Sequence, residues 1–176
     1  MMKRIIGCFV MLMTVSVIVG CAKQEMIRCN YTNETKGFTL SIDRPVEWTE
    51  KINVGWSATE MQEASPDVGI YLYPEEDTEN KIYFCSSISP FNAEGYGYNE
   101  MQTVKIGDGL EALHGTKKTG DTVSEVYVFG EDFQGYYSIQ IQMDKKDYKK
   151  YKKIISGIVS SCRIEESDEF DPAAAF

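Results

Sequence analysis

Between residues 38 and 143 apolar residues fall at every second position in run after run, and after that the period changes. Gly135 to Met143 shows the alternation most clearly. Tyr137, Ile139, Ile141 and Met143 take one side, and Tyr136, Ser138, Gln140 and Gln142 the other. A period of two with one apolar side is the mark of a strand with one face buried. Val68 to Tyr73 repeats it, with Val68, Ile70 and Leu72 opposed to Gly69, Tyr71 and Tyr73. Lys81 to Ile88 follows across a short acidic turn, and the two runs read as a hairpin. From Asp147 the apolar positions become Tyr148, Tyr151, Ile154, Ile155, Ile158, Val159 and Cys162, the stripe of an amphipathic helix. Lysines cover its other faces. A helix stripe and an antiparallel sheet with one apolar face bury each other, which makes the expected class α+β.

The remaining strands read as Arg28–Asn33, Phe38–Ile42, Lys51–Ser57, Val104–Ile106, Glu111–Thr119 and Thr122–Gly130. In Lys51–Ser57 the residues Ile52, Val54 and Trp56 share the face expected to be buried. Two stretches, Thr59 to Ser65 and Asn92 to Met101, are candidates for further helical turns.

The N-terminus has a separate logic. Lys3-Arg4 precedes an apolar run from Ile5 to Val19, the basic and apolar regions of a secretory signal. The run is short of the roughly 20 apolar residues a spanning helix needs. It ends in Ile18-Val19-Gly20-Cys21, which resembles the lipobox of bacterial lipoproteins. The resemblance implies a diacylglyceryl group on the Cys21 thiol, with palmitate among its acyl chains, cleavage that leaves Cys21 as the first residue, and a chain held on the extracytoplasmic face of the cell membrane. The expected divisions are a signal peptide at 1–20, a lipidated tether at 21–27, one domain at 28–164 and an acidic flexible tail at 165–176. Loss of residues 1–20 removes Lys3 and Arg4, so the remainder is two charges more negative than the −9 of the whole chain. An acidic domain is repelled by phosphate backbones, so no nucleic-acid partner is expected.

No motif carries catalysis. Gly107-Asp108-Gly109-Leu110-Glu111-Ala112 fits a dinucleotide fingerprint by letter, but a polar strand follows where that fold needs a helix, so it reads as a turn. His114 is the one histidine and has no recognisable nucleophile frame. One histidine, no C-x-x-C pair and acidic turns without a cation-loop pattern give no metal or cofactor expectation. Cys29, Cys85 and Cys162 are odd in number, so at most one disulfide can form. Cys29 with Cys162 is the pairing considered, against the alternative of small buried side chains. The stretch that draws attention for binding is the Gly-rich loop holding Phe91, Tyr96 and Tyr98, because tyrosines on a loop give large contact area at small entropic cost. The competing role for those rings is to cap the sheet.

A Gly-Phe-x-Leu-x-Ile strand at Gly37–Ile42, Pro45-Val46-Glu47-Trp48, meandering antiparallel strands and a Tyr-x-x-Tyr-x-x-Ile-Ile helix together resemble PsbP-like domains over roughly residues 30–164. The resemblance implies an antiparallel sheet packed between helices as an α/β/α sandwich. It supplies no catalytic residues and implies a non-enzymatic binding or assembly module with a protein partner. The alternatives are a small-ligand carrier, which would need an enclosed apolar cavity, and a cell-envelope enzyme, which would need His114 in a pocket with a carboxylate and a Ser or Cys.

Overall fold

The computed structural model describes residues 24–33, 37–54, 67–75, 79–87, 91–132 and 135–166. Among the described residues ten strands and one helix follow in the order β1 (Met26–Asn33), β2 (Phe38–Pro45), β3 (Thr49–Asn53), β4 (Val68–Tyr73), β5 (Lys81–Ser87), β6 (Met101–Ile106), β7 (Leu110–Thr119), β8 (Thr122–Asp132), β9 (Gly135–Asp144), α1 (Lys145–Ser161) and β10 (Arg163–Glu166). Seven strands form one sheet in the order β3-β4-β5-β9-β8-β7-β6, and a second sheet has the order β1-β2-β10. Every pairing is antiparallel. The chain is α+β and dominated by sheet.

The alternation decides which face is core. Ile70 and Leu72 of β4, Ile82 and Phe84 of β5, and Ile139, Ile141 and Met143 of β9 are at most 1% exposed. The three-stranded sheet contributes Leu40 and Ile42, and α1 contributes Tyr151, Ile155, Ile158 and Val159. Small sheet and helix therefore cover one face of the large sheet together. Burying each such aliphatic side chain contributes about 1.5–3 kcal/mol. The helix starts two residues before Asp147, because Asp144 caps it and accepts from the Asp147 N–H at 2.8 Å. Asn80 fixes that cap to the β4–β5 hairpin, accepting from the Asp144 N–H at 2.7 Å and donating to Asp147 at 2.7 Å.

Several expectations change. Ile52 and Val54 are exposed, not buried, since β3 is an edge strand backed extensively by β4 alone; Trp56 lies outside the described residues. Residues 93–97 form turns and Met101 opens β6, so no helix stands there. Gly97 takes a φ of 78°, which a helix does not allow. The Thr59–Ser65 candidate lies outside the described residues. Among the described residues the one helix lies on one face, so the three layers of an α/β/α sandwich are not seen there. Glu165 and Glu166, expected in the tail, belong to β10 and pair with Thr39 and Phe38. Cys29, Cys85 and Cys162 are all buried and free, so the Cys29–Cys162 bridge is absent. Burial raises the Cys162 thiol to about 11 and the Cys29 thiol to about 12, and it also raises Cys85. All three stay protonated near neutrality.

Candidate functional site

The other face of the large sheet is where the chain does something less usual. β5 lies on one side of β9, yet β6 lies beyond β7 at the far edge. Residues 88–100 must therefore cross four inter-strand spacings, about 19 Å. The core face is filled by α1 and the small sheet, so the described part of the crossing, residues 91–100, runs over the open face. It is wound tightly. The Gly95 N–H donates to the Asn92 side chain at 2.9 Å, and the N–H groups of Tyr96, Gly97 and Tyr98 donate to the Asn92, Glu94 and Ala93 carbonyls at 3.0, 2.9 and 2.9 Å.

Packing then fixes the loop on the sheet. The Phe91 ring meets Tyr136 edge-on at 5.4 Å and stacks near Tyr96 at 5.6 Å. Tyr98 seats over Gly115, where a Cβ would lie 3.1 Å from its ring and 2.4 Å from the Met101 sulfur. Val126, Val128 and Tyr136 form the small apolar cluster beneath. Of the two roles weighed for Phe91, Tyr96 and Tyr98, the packing shows the covering one for two of the rings. Phe91 and Tyr98 cover the sheet, while Tyr96 keeps 53% of its surface exposed. All three line a cavity of ≈ 330 Å³.

The register builds the rest of that cavity. Lys117 pairs with Ser124, Ser124 with Gln142, and Gln142 with Lys81, giving one straight row across β7, β8, β9 and β5. The next row runs Gly115, Val126, Gln140, Tyr83, Tyr71. Lysines therefore stand at the two ends of a floor made of a hydroxyl, two amides and a valine. Tyr71 and Tyr83 stack at 3.8 Å and 7° and form the wall opposite the loop. Asn53 donates to the Tyr83 hydroxyl at 2.8 Å. The Gln140 amide donates to Ser138 at 3.1 Å. The Lys81 ammonium lies 5.9 Å from the Tyr71 ring centre, and Lys117 lies 4.9 Å from that of Tyr98 while donating to the Tyr96 carbonyl. Burial pushes the Tyr136 phenol up to about 12 and raises Tyr71, Tyr83 and Tyr98. At neutral pH these rings are uncharged, and their hydroxyls both donate and accept.

His114 is elsewhere. It alternates with Leu113 and Gly115 on β7 and points to the opposite face. Its Nε2 lies 2.7 Å from Glu125, which is 6% exposed. The same carboxylate accepts from the Tyr127 hydroxyl at 2.6 Å and the Tyr148 hydroxyl at 2.7 Å. The His114 and Tyr127 rings stack at 4.5 Å. Histidine and aromatic loop do not share a pocket, and the partners of Glu125 include neither Ser nor Cys. Gly107 and Gly109 form the β6–β7 turn, closed by a bond from the Gly109 N–H to Ile106 at 3.0 Å. Among the described residues no group of three His, Cys, Asp or Glu converges to hold a metal ion. Cys21 lies outside them.

No family model matches the chain, and no curated protein sequence does. In structure the chain is similar to the cyanobacterial PsbP of Synechocystis sp. PCC 6803, with a TM-score of 0.49 and 12% sequence identity over 83% of this chain and 96% of that one.

Sequence reasoning singled out the loop rings but not Tyr71, Tyr83, Tyr136, Lys81, Lys117, Ser124, Gln140 and Gln142, which line the same cavity. The signal was present in the non-core sides of β4 and β9, which carry tyrosines and glutamines in alternate positions. What joins them is register and the crossing loop, and neither is written in local pattern.

Proposed function

We propose that this chain is a lipid-anchored extracytoplasmic module that binds through the open-face groove and carries out no chemistry of its own. The observation that carries the binding part is the groove itself, with a fixed aromatic loop on one side, a stacked tyrosine pair on the other and lysines at both ends of a polar floor. Large pre-formed aromatic surface with a few convergent polar groups is what a binding site needs. Three further facts support a role without catalysis. Cys29, Cys85 and Cys162 are buried thiols, His114 and both nearby tyrosines bond one carboxylate, and that cluster faces away from the groove. The cavity is open and partly polar, unlike the enclosed apolar chamber of a carrier. The PsbP-like reading rests on the sequence pattern at Phe38–Trp48 and Tyr148–Ile164, and the anchor rests on Ile18-Val19-Gly20-Cys21. With four residues between Cys21 and β1, the domain would stand within roughly 20 Å of the acyl chains.

Capture from detergent-solubilised membranes tests the site. The wild type should return a specific partner or glycan, and Tyr96→Ala, the ring least used in packing, should lose it. Equal capture by both proteins would remove the groove from the account. Radiolabelled palmitate tests the anchor separately. Label should enter the wild type and not Cys21→Ser, and label on the mutant would refute the anchor.

A further inference from the structure

We infer that the groove takes a short acidic saccharide, one or two sugar rings bearing a carboxylate. The inference rests on the groove being the binding site and names what enters it. Size comes first. A cavity of ≈ 330 Å³ lies at the small end of ligand pockets, which run from roughly 300 to 1,000 Å³. It has room for a ring or two, not for a folded segment.

The floor rules out a docked strand. The backbones of β5, β9, β8 and β7 are paired to one another throughout the floor, so an extended peptide has no open ladder to join there. The walls argue against a nucleobase. A base stacks on free ring faces. Here Tyr71 already lies against Tyr83 at 3.8 Å, with Tyr73 at 6.0 Å, and Phe91 lies against Tyr96 and Tyr136. The exposed ring is Tyr96. What a ligand meets is one exposed ring, ring edges, and groups that both donate and accept at Ser124, Gln140 and Gln142. A pyranose has that complement. Its C–H face covers one ring, and its hydroxyls at the rim each donate and accept.

Charge supplies the acid. The Lys81 and Lys117 backbones stand three strand spacings apart, about 14 Å, at the ends of one row. Among the described residues lining the cavity, Asp67 is the one carboxylate. In a chain of formal charge −9 this is a local reversal of sign, and it favours an anion.

Saturation-transfer difference NMR on the full-length protein in detergent tests this. The probes are a disaccharide with one uronate carboxylate, its uncharged methyl ester, uridine monophosphate and an acidic tripeptide. The uronate disaccharide should show transfer, strongest on one C–H face. Its affinity should fall roughly tenfold on esterification and roughly tenfold in Lys117→Gln, the size of one charge-assisted contact. Tyr96→Ala should abolish the transfer, with far-UV circular dichroism unchanged. Transfer to the nucleotide or the tripeptide that Tyr96→Ala abolishes, with none to the disaccharide, would overturn the saccharide and leave the groove as the site. Disaccharide transfer that persists undiminished in Tyr96→Ala would overturn the placement. No transfer to any probe would overturn the inference, and membrane capture by the wild type against Tyr96→Ala would still decide the wider reading.

Discussion

Replacing Glu125 by alanine takes one acceptor away from three donors. The Glu125 side chain is 8% exposed, and His114, Tyr127 and Tyr148 all direct a ring nitrogen or hydroxyl at it within 2.6–2.7 Å. A hydrogen bond to a charged group contributes about 1.5–3 kcal/mol net, so three simple contributions would exceed 4 kcal/mol. They do not add fully. The donors are half-buried, and water can enter the space that the side chain leaves. Removing one member of such a buried network costs about 3–5 kcal/mol, a large part of a typical total of 5–15 kcal/mol. For a domain of this size that lowers the melting temperature by roughly 10–15 °C. Glu125→Gln keeps the shape and one acceptor but sets an NH₂ against the donors, so about 1–3 kcal/mol is expected. Urea unfolding followed by tryptophan emission reads this well, because Trp48 is 2% exposed and packs edge-on against Tyr151 of α1 at 5.3 Å. Tyr148→Phe should cost about 1.5 kcal/mol in the wild type, the low end for a half-buried hydroxyl on a charged group, and much less in the Glu125→Ala background. A cost for Glu125→Ala below about 1 kcal/mol would show that the carboxylate is not the acceptor joining β7, β8 and α1.

Cys162 gives a pH dependence with a definite sign. Its thiol is held at about 11 by burial against roughly 8.5 in an unfolded chain, so its contribution is complete below 8.5 and is lost as pH rises toward 11. Its share of the alkaline loss across that window is about 3 kcal/mol, alongside those of the buried Cys29 and Cys85 thiols, and Cys162→Ala should lessen the fall in a pH series of urea midpoints by that share. Ile139→Ala, at a side chain with no exposed surface on the core face of β9, should cost about 2–5 kcal/mol in the same unfolding assay. Asn80→Ala removes the side-chain bonds that tie the hairpin to Asp144 and Asp147 at the start of α1 and should cost about 1–3 kcal/mol, with hydrogen exchange fastest in the first helical turn.

How far the pattern could be read follows from what local spacing encodes. Alternation assigns faces, so Ile70, Leu72, Ile139 and Ile141 were legible as core, and the three-and-four stripe placed Tyr151, Ile155 and Ile158 against it. Exposure of Ile52 was not legible, because a β-branched residue on an edge strand looks the same in sequence as one on a central strand. Lys145 and Lys146 were legible as part of the lysine-covered outer faces of α1, but its cap was not, because it depends on Asn80 from a distant hairpin. β10 was hidden for a similar reason: Arg163 to Glu166 is mostly charged, and its place beside β2 comes from where the helix ends. The groove needed both kinds of long-range information. Tyr83 and Gln140 are neighbours only through register, and Tyr98 reaches the sheet only because residue 115 is a glycine.

The central claim is that the open face, and not the helix face, is where this molecule binds. A photo-crosslinking amino acid placed at Tyr96, and separately at Lys153 on the exposed side of α1, tests it in intact cells. The account predicts a discrete adduct from position 96 and none from position 153. An adduct from position 153 with nothing at position 96 would contradict it.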